Sequence, residues 1–256
     1  MPQKARNPVK ATRTSFRILE ELADEDGIGV TELAKQLDLS KGSVSNHLAT
    51  LQELGYVSRE DSQYFLGCQF LRLGTIGRSR HAIAGIANDH AQELANVTGE
   101  RSVVTVAEED YATYLYTAPG DYNDTEDVVP GLRVPLHCTA PGKAILAHLS
   151  EEYVGQIVSE YDRRRWTDTT ITDLDELTTE LGVIREQGLA FNRGEYQSDR
   201  NGLAAPILSE GRIQGAVGIV GPKSRVSGKT LQQDAAGLVV SVAKQIETDL
   251  KQTTGV

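Results

Sequence analysis

Residues 37–57, "LDLSKGSVSNHLATLQELGYV", decide how the N-terminal part of this chain is read. At 100° per residue, Val44, Leu48 and Leu51 fall within about 60° of one another, the stripe of a core-facing helix. Ser40 is placed as the N-cap and Gly55 as the terminator, so the spacing predicts a helix over residues 41–54. The opposite face is unusual. Asn46 lies across from the stripe, flanked by Gly42, Ala49 and Thr50, with Ser43 and His47 on one shoulder and Ser45 on the other. Glycine and asparagine are poor helix formers, and a small uncharged face adds little to packing or solubility. Such a face suits close approach to a groove, where bulkier side chains would hold the helix away.

Working outward, Phe16, Leu19, Leu22 and Ala23 give a helical stripe from Thr12 to near Asp26-Gly27. Residues 31–37, "TELAKQL", give a second short helix with Leu33, Ala34 and Leu37 inward. After the third helix, Tyr56–Arg59 and Tyr64–Leu66 flank the polar turn "EDSQ" as a hairpin. Three helices and a hairpin make a winged helix-turn-helix over residues 1–66. Asn46 can then pair bidentately with adenine N6 and N7 in the major groove, a contact contributing roughly 1–3 kcal/mol of discrimination. Lys41 and Ser43, near the helix N-terminus, suit phosphates, and Arg59 is the candidate wing contact to backbone or minor groove. The candidate DNA-binding set is Arg13, Thr31, Ser40, Lys41, Gly42, Ser43, Ser45, Asn46, Thr50 and Arg59. A solvated Asn46 in a module used for protein contacts, and an ordinary surface Arg59, are the alternatives.

The net charge of −10 argues against a nucleic-acid partner only until the chain is divided. Residues 1–80 carry 11 Lys+Arg and 10 Asp+Glu, a net of +1; residues 81–256 carry 15 and 26, a net of −11. Lys4, Arg6, Lys10, Arg13 and Arg17 all precede the first acid, Glu20. A basic arm on a near-neutral module joined to an acidic body fits phosphate contact at one end; a solvated tail fits the same charges. With 17 Arg, 9 Lys and 36 acids, the composition also suggests a salt-adapted, haloarchaeal-like protein whose acidic surface keeps it soluble. Cys68 and Cys138 lie too far apart for a CxxC pattern, and no signal or membrane-spanning segment is read. The expectation is a soluble protein of a reduced cytoplasm, with no metal or cofactor.

Residues 67–80, "GCQFLRLGTIGRSR", read as a linker helix, followed by a helix at about 82–98 closed by Gly99. Two strands follow, "RSVVTVAEED" and "YATYLYTAP", then an acid-rich loop at 119–130. After "PLHCTAPGKAILAHL" comes a helix capped by Ser150, then one opened by Asp173 with Glu176 at capping-box spacing. "LAFNRGEY", "GLAAPIL" and "IQGAVGIVG" read as strands, the last two almost continuously apolar, before an amphipathic helix from about Thr230 to Lys251. The mixed order predicts an α+β body over 81–256, a curved antiparallel sheet flanked by helices.

At this point the sequence resembles the IclR family of transcriptional regulators. The resemblance rests on "TELAKQLDLSKGSVSNHLATLQELGYV", "YFLGCQFLRLG", "PLHCTAPGKAILAHL" and "IREQGLAFNRGEYQSDRNGLAAPIL" followed by "GAVGIVGP", in this order. It implies an N-terminal winged helix, a linker helix and a GAF-like effector-binding domain. It also implies homodimers through the N-terminal region, often paired into tetramers, on palindromic operators near catabolic operons. Members often carry arginine where this chain has Asn46, so the operator is expected to differ.

The resemblance places the effector at Thr139, Ala140, Pro141, Gly142, Lys143 and Ala144, with Asn192, Gly202, Gly218 and Val220 as the other wall. A turn running into a helix at Lys143–Leu149 would offer backbone N–H groups to a carboxylate, with Gly142 allowing close approach. Gly202 and Gly218 leave space, which favours a larger ligand or one held through the backbone; a sugar acid or other small organic acid is expected. Glu195 could meet a ligand hydroxyl or pair with Arg193 or a neighbour. Asp199-Arg200-Asn201 departs from the family's commoner pattern around a glycine. Cys138 is read as a small residue at the pocket. His137 is adjacent and would point to the opposite face of a strand, and the five histidines show no HxxxH or HxH spacing. Trp166, after Arg163–Arg165, is read as a helix-end surface cluster. The chain is thus expected to be an effector-modulated regulator of a catabolic operon, sugar or sugar-acid breakdown foremost. An effector-independent architectural DNA binder and a Cys138-dependent enzyme are the alternatives.

Overall fold

A computed structural model describes residues 6–122, 127–160 and 164–254. Lys4 of the expected basic arm and part of the expected 119–130 loop fall outside them. The chain divides into two compact units, between Gly77 and Arg78.

In the N-terminal unit, α1 (Lys10–Ala23), α2 (Val30–Gln36) and α3 (Lys41–Glu53) pack around Ile18, Leu33, Val44 and Leu48, all fully buried. The turn between α2 and α3 places Asp38 at φ +54°, a left-handed conformation that aspartate tolerates better than most residues. The Ser40 side chain accepts the Ser43 N–H at 3.2 Å, capping α3 as its sequence predicts. The wing is β2 (Val57–Glu60) antiparallel to β3 (Gln63–Leu66). A two-residue strand, β1 (Ile28–Gly29), pairs with the far edge of β3; it is too short to leave a periodicity signal. Helix α4 runs Gln69–Arg78, nearly all of it within the N-terminal unit.

In the C-terminal unit, six strands form one antiparallel sheet in the order β6-β5-β4-β9-β8-β7. They are β4 (Arg101–Glu108), β5 (Tyr111–Ala118), β6 (Arg133–Pro135), β7 (Ala190–Arg193), β8 (Arg200–Ser209) and β9 (Arg212–Pro222). Both faces are covered. Val104, Leu203, Ala205, Val217 and Ile219 join a cluster with α5 (Ala87–Thr98) and α9 (Lys229–Thr254). Val103, Ala204 and Ala216 join a second cluster with α6 (Ala140–Leu146), α7 (Glu151–Glu160) and α8 (Leu174–Gln187). Covering on both sides explains why β8 and β9 read as near-continuous apolar runs. The helix expected at 82–98 is divided: Ala82–Gly85 form a 3-10 turn before α5, the break falling at Ile86, directly after Gly85, the poorest helix former in the stretch.

Candidate functional site

On the N-terminal unit, Val44 and Leu48 anchor α3 so firmly that its outer face is fixed. Lys41, Gly42, Ser45, Asn46, Ala49 and Thr50 are exposed, and Ser43 and His47 half-buried. A Cβ added at Gly42 meets nothing within 4 Å, so nothing within the chain requires glycine there. The Ser15 hydroxyl lies 2.9 Å from His47 Nδ1, tying α1 to the shoulder of this face. Thr31 and Arg13 are exposed on their helices. Arg17 is turned inward enough to donate to the Leu37 carbonyl at 3.1 Å, closing the end of α2. Two side chains are engaged locally. The Thr50 hydroxyl donates to the Asn46 carbonyl at 3.0 Å, and Arg59 donates from Nε to the Asp61 carbonyl at 2.9 Å while its guanidinium stands 5.5 Å from the Tyr64 ring centre.

On the C-terminal unit, α6 lies on the sheet with all seven residues buried. The Thr139 side chain accepts the Gly142 N–H at 3.3 Å and donates to the Pro135 carbonyl at 2.8 Å. The helix therefore starts at Ala140, earlier than the Lys143 expected from sequence, because Thr139 is itself an N-cap with Pro141 in the first turn. Above its N-terminus is a cavity of about 170 Å³. Its apolar walls are Val103, Val128, Leu132, Val134, Ile219 and Val220. Polar groups come from Tyr114, Asn192, Tyr196, Gln197, Asp127 and Arg200, and Thr139, Ala140, Pro141 and Gly202 close the floor.

Of the residues assigned to this site from sequence, Thr139, Ala140, Pro141, Asn192, Gly202 and Val220 line the cavity. Cys138, Gly142, Lys143, Ala144, Glu195 and Gly218 are not on its wall, each for a packing reason. A Cβ on Gly142 would stand 2.3 Å from the Leu136 carbonyl oxygen, so this glycine permits close approach of backbone to backbone. Gly218 leaves no space for a ligand: a Cβ there would stand 2.3 Å from the Leu203 carbonyl oxygen and 2.7 Å from the Ala204 Cβ. Lys143 is 1% exposed, with Nζ 2.8 Å from Glu195 and 3.2 Å from Glu180. Glu195 also accepts the Arg193 N–H, and its own N–H donates to the Asn192 side chain at 2.8 Å. Cys138 is fully buried, and burial, with the Glu195 charge nearby, pushes its thiol far above the ordinary range. Ala144 packs in the core against the sheet.

Tyr114, Asp127, Tyr196 and Arg200 were not found from sequence. Arg200 donates to both carboxylate oxygens of Asp127, from Nη1 and Nη2, each at 2.8 Å. That contact holds Asp127 below the usual carboxylate range. Burial holds the Tyr114 phenol well above its usual range, so it stays a neutral hydroxyl. Trp166 packs edge-on against Tyr196, ring centres 4.9 Å apart, where sequence suggested only a surface cluster. Thr167 and Thr170 fix this neighbourhood by donating to the Gly194 and Glu195 carbonyls at 2.6 Å each. The signal for Arg200 was its departure from the family pattern; Tyr114 and Asp127 reach the cavity only through the sheet and its loops.

A helix-turn-helix with an open recognition face, joined to a sheet domain that encloses a small cavity, defines a transcriptional regulator with a ligand-binding domain. Residues 78–248 match the bacterial transcriptional regulator IclR C-terminal family, and residues 11–64 match the MarR family. The HTH-type transcriptional regulator KdgR of Escherichia coli (strain K12) is 30% identical over 244 residues, 94% of this chain and 93% of that protein. The glycerol operon regulatory protein of Streptomyces coelicolor is 29% identical over 252 residues, covering 96% and 98%. The crystal structure of the Thermotoga maritima IclR aligns with a TM-score of 0.81 at 25% identity, covering 93% of this chain and 98% of that one. This chain belongs to the IclR family of transcriptional regulators, and the relatives it matches are transcriptional regulators. Among the described residues, no helix is long and apolar enough to cross a membrane, and no cluster of three or more His, Cys, Asp or Glu could hold a metal.

Proposed function

We propose that the chain grips a palindromic operator as a homodimer and that a small organic acid in the cavity between α6 and the sheet shifts its operator affinity. The observation that carries the DNA half is the outer face of α3, where Gly42 has open space and Asn46 stands exposed opposite the core stripe. Asn46 reads adenine, Ser43 and Lys41 hold phosphates at the capped helix start, and Arg13 and Arg59 add backbone contacts. Exposed apolar side chains on α1 and α4 supply the dimer face: Phe16 is 58% exposed and Leu71 70%. Paired dimers would give the tetramer. The regulated genes are those of a catabolic operon, with sugar or sugar-acid breakdown foremost.

The cavity supports the effector half by its size. About 170 Å³ is close to the roughly 150 Å³ of an engineered cavity that holds benzene, so a six-carbon acid is the fitting scale. Effector binding and operator affinity are then linked reciprocally. The deciding experiment is a map of DNA occupancy across the source genome on different carbon sources. Sharp peaks over short palindromes that come or go with one carbon source support the reading. Broad occupancy indifferent to carbon source would instead establish an architectural DNA binder.

A further inference from the structure

Arg200 is the one cation on the cavity wall among the described residues, and the structure shows it already holding a carboxylate. Its fork is end-on and bidentate to Asp127, the geometry in which a guanidinium takes any carboxylate, including one on a ligand. Of the cations near the cavity but off its wall, Lys143 is sealed behind it by Glu195 and Glu180, and Arg164 is stacked on the Trp166 ring, 4.4 Å from its centre. The two partners of the Arg200 pair differ in cover. The Arg200 side chain is 17% exposed and that of Asp127 is 53% exposed, so the aspartate is the member that can leave. The neighbouring Val128 is 4% exposed and pinned in the core, which confines the change to the Asp127 side chain.

We propose that Asp127 is an internal competitor for the effector: a ligand carboxylate takes its place on Arg200, and Asp127 turns out to solvent. This rests on the effector reading above and adds to it which residue selects the anion and what that selection works against. No covalent bond is made or broken: the ligand carboxylate replaces Asp127 on Arg200, and Asp127 also gives up its side-chain hydrogen bond with Gln197. The exchange is close to balanced because a half-exposed ion pair is weakly held in water. Ligand specificity then comes from the rest of the wall, where the neutral Tyr114 hydroxyl and the Asn192 amide face apolar Val103 and Val134. The Asp127–Arg200 pair lowers apparent affinity by the fraction of time it is closed, so the effector must accumulate before the regulator responds.

The test uses the full chain with benzoate as the anionic probe and benzamide as its neutral counterpart of the same size. Trp166 is the single tryptophan and touches Tyr196 on the cavity wall, so its fluorescence reports occupancy, and the thermal midpoint gives a second reading. Asp127→Ala is expected to bind benzoate roughly five-fold more tightly than the parent, with benzamide binding unchanged. Arg200→Gln is expected to lose the preference for benzoate over benzamide, with an unchanged far-UV circular dichroism spectrum and a cooperative melt showing that it is folded. Benzoate binding to Asp127→Ala no more tightly than to the parent, or not at all, overturns the exchange, as does an Arg200→Gln variant that keeps its benzoate preference. Should operator occupancy still follow carbon source in that case, the effector reading stands and only the exchange falls.

Discussion

Nζ of Lys143 lies 2.8 Å from Oε1 of Glu195, with side-chain exposures of 1% and 7%. The contact joins the middle of α6 to the segment that follows β7, so the floor of the cavity and its β7 side are held together from behind. A lysine in a loop resembling an effector site invites a ligand role; here its charge is fully engaged by the protein. Oε2 of Glu195 is buried without a hydrogen-bond partner among the described residues, so the pair is not fully satisfied. Removing one partner leaves an uncompensated buried charge.

Lys143→Met is therefore expected to cost about 3–5 kcal/mol of stability. Combining it with Glu195→Gln should recover part of the loss, since the stranded charge goes too. Urea unfolding of the parent and both variants measures this. A Lys143→Met variant within 1 kcal/mol of the parent, on the scale expected of a surface pair, would mean the pair is not a structural tie.

Asn46→Ala touches no core residue and should leave the fold intact, raising stability by up to about 0.7 kcal/mol because alanine is the better helix former at this exposed position. Operator binding should lose about 1–3 kcal/mol of discrimination at one adenine position in each half-site. Competition binding against operators altered at single positions gives the answer. An unchanged base preference removes Asn46 from direct readout.

Two glycines at helix N-termini should behave oppositely. Gly42→Ala enters open space and should raise stability by up to about 1 kcal/mol while weakening operator binding, because the added methyl faces the groove. Gly142→Ala drives a Cβ to 2.3 Å from the Leu136 oxygen and should destabilise by roughly 1–3 kcal/mol. Thermal melts and operator titrations of both variants separate the two uses of the same residue.

Cys138 should resist alkylation in the native protein from neutral pH to about pH 9, because only the thiolate reacts and burial keeps this thiol protonated through that range. Cys68 is exposed and should be labelled in the native protein. Mass spectrometry after iodoacetamide treatment, with and without denaturant, reads each site. Fast native labelling of Cys138 would show that this part of the core opens.

The acidic body predicts a salt response. With 26 Asp+Glu against 15 Lys+Arg in residues 81–256, mutual repulsion should be relieved by screening. The melting temperature and solubility should rise from dilute buffer to molar KCl. Equal stability in both would remove the salt-adapted reading.

The sequence by itself determined the helix-turn-helix, its capped recognition helix, the wing and the nearly continuous strands β8 and β9. Each is a local pattern: apolar spacing, a serine cap and a polar turn are all written within a few residues. Thr139, Ala140 and Pro141 came from the family resemblance, whose motif there is contiguous. Tertiary structure alone decided which neighbours face the cavity. Lys143 and Pro141 are two residues apart, yet one lines the floor and the other points behind it, because a helix turns about 100° per residue. Asp127 and Arg200 stand 73 positions apart and meet only because the sheet brings the stretch before β6 against the start of β8. An ion pair of that kind depends on which strands are neighbours, and no local periodicity records strand order.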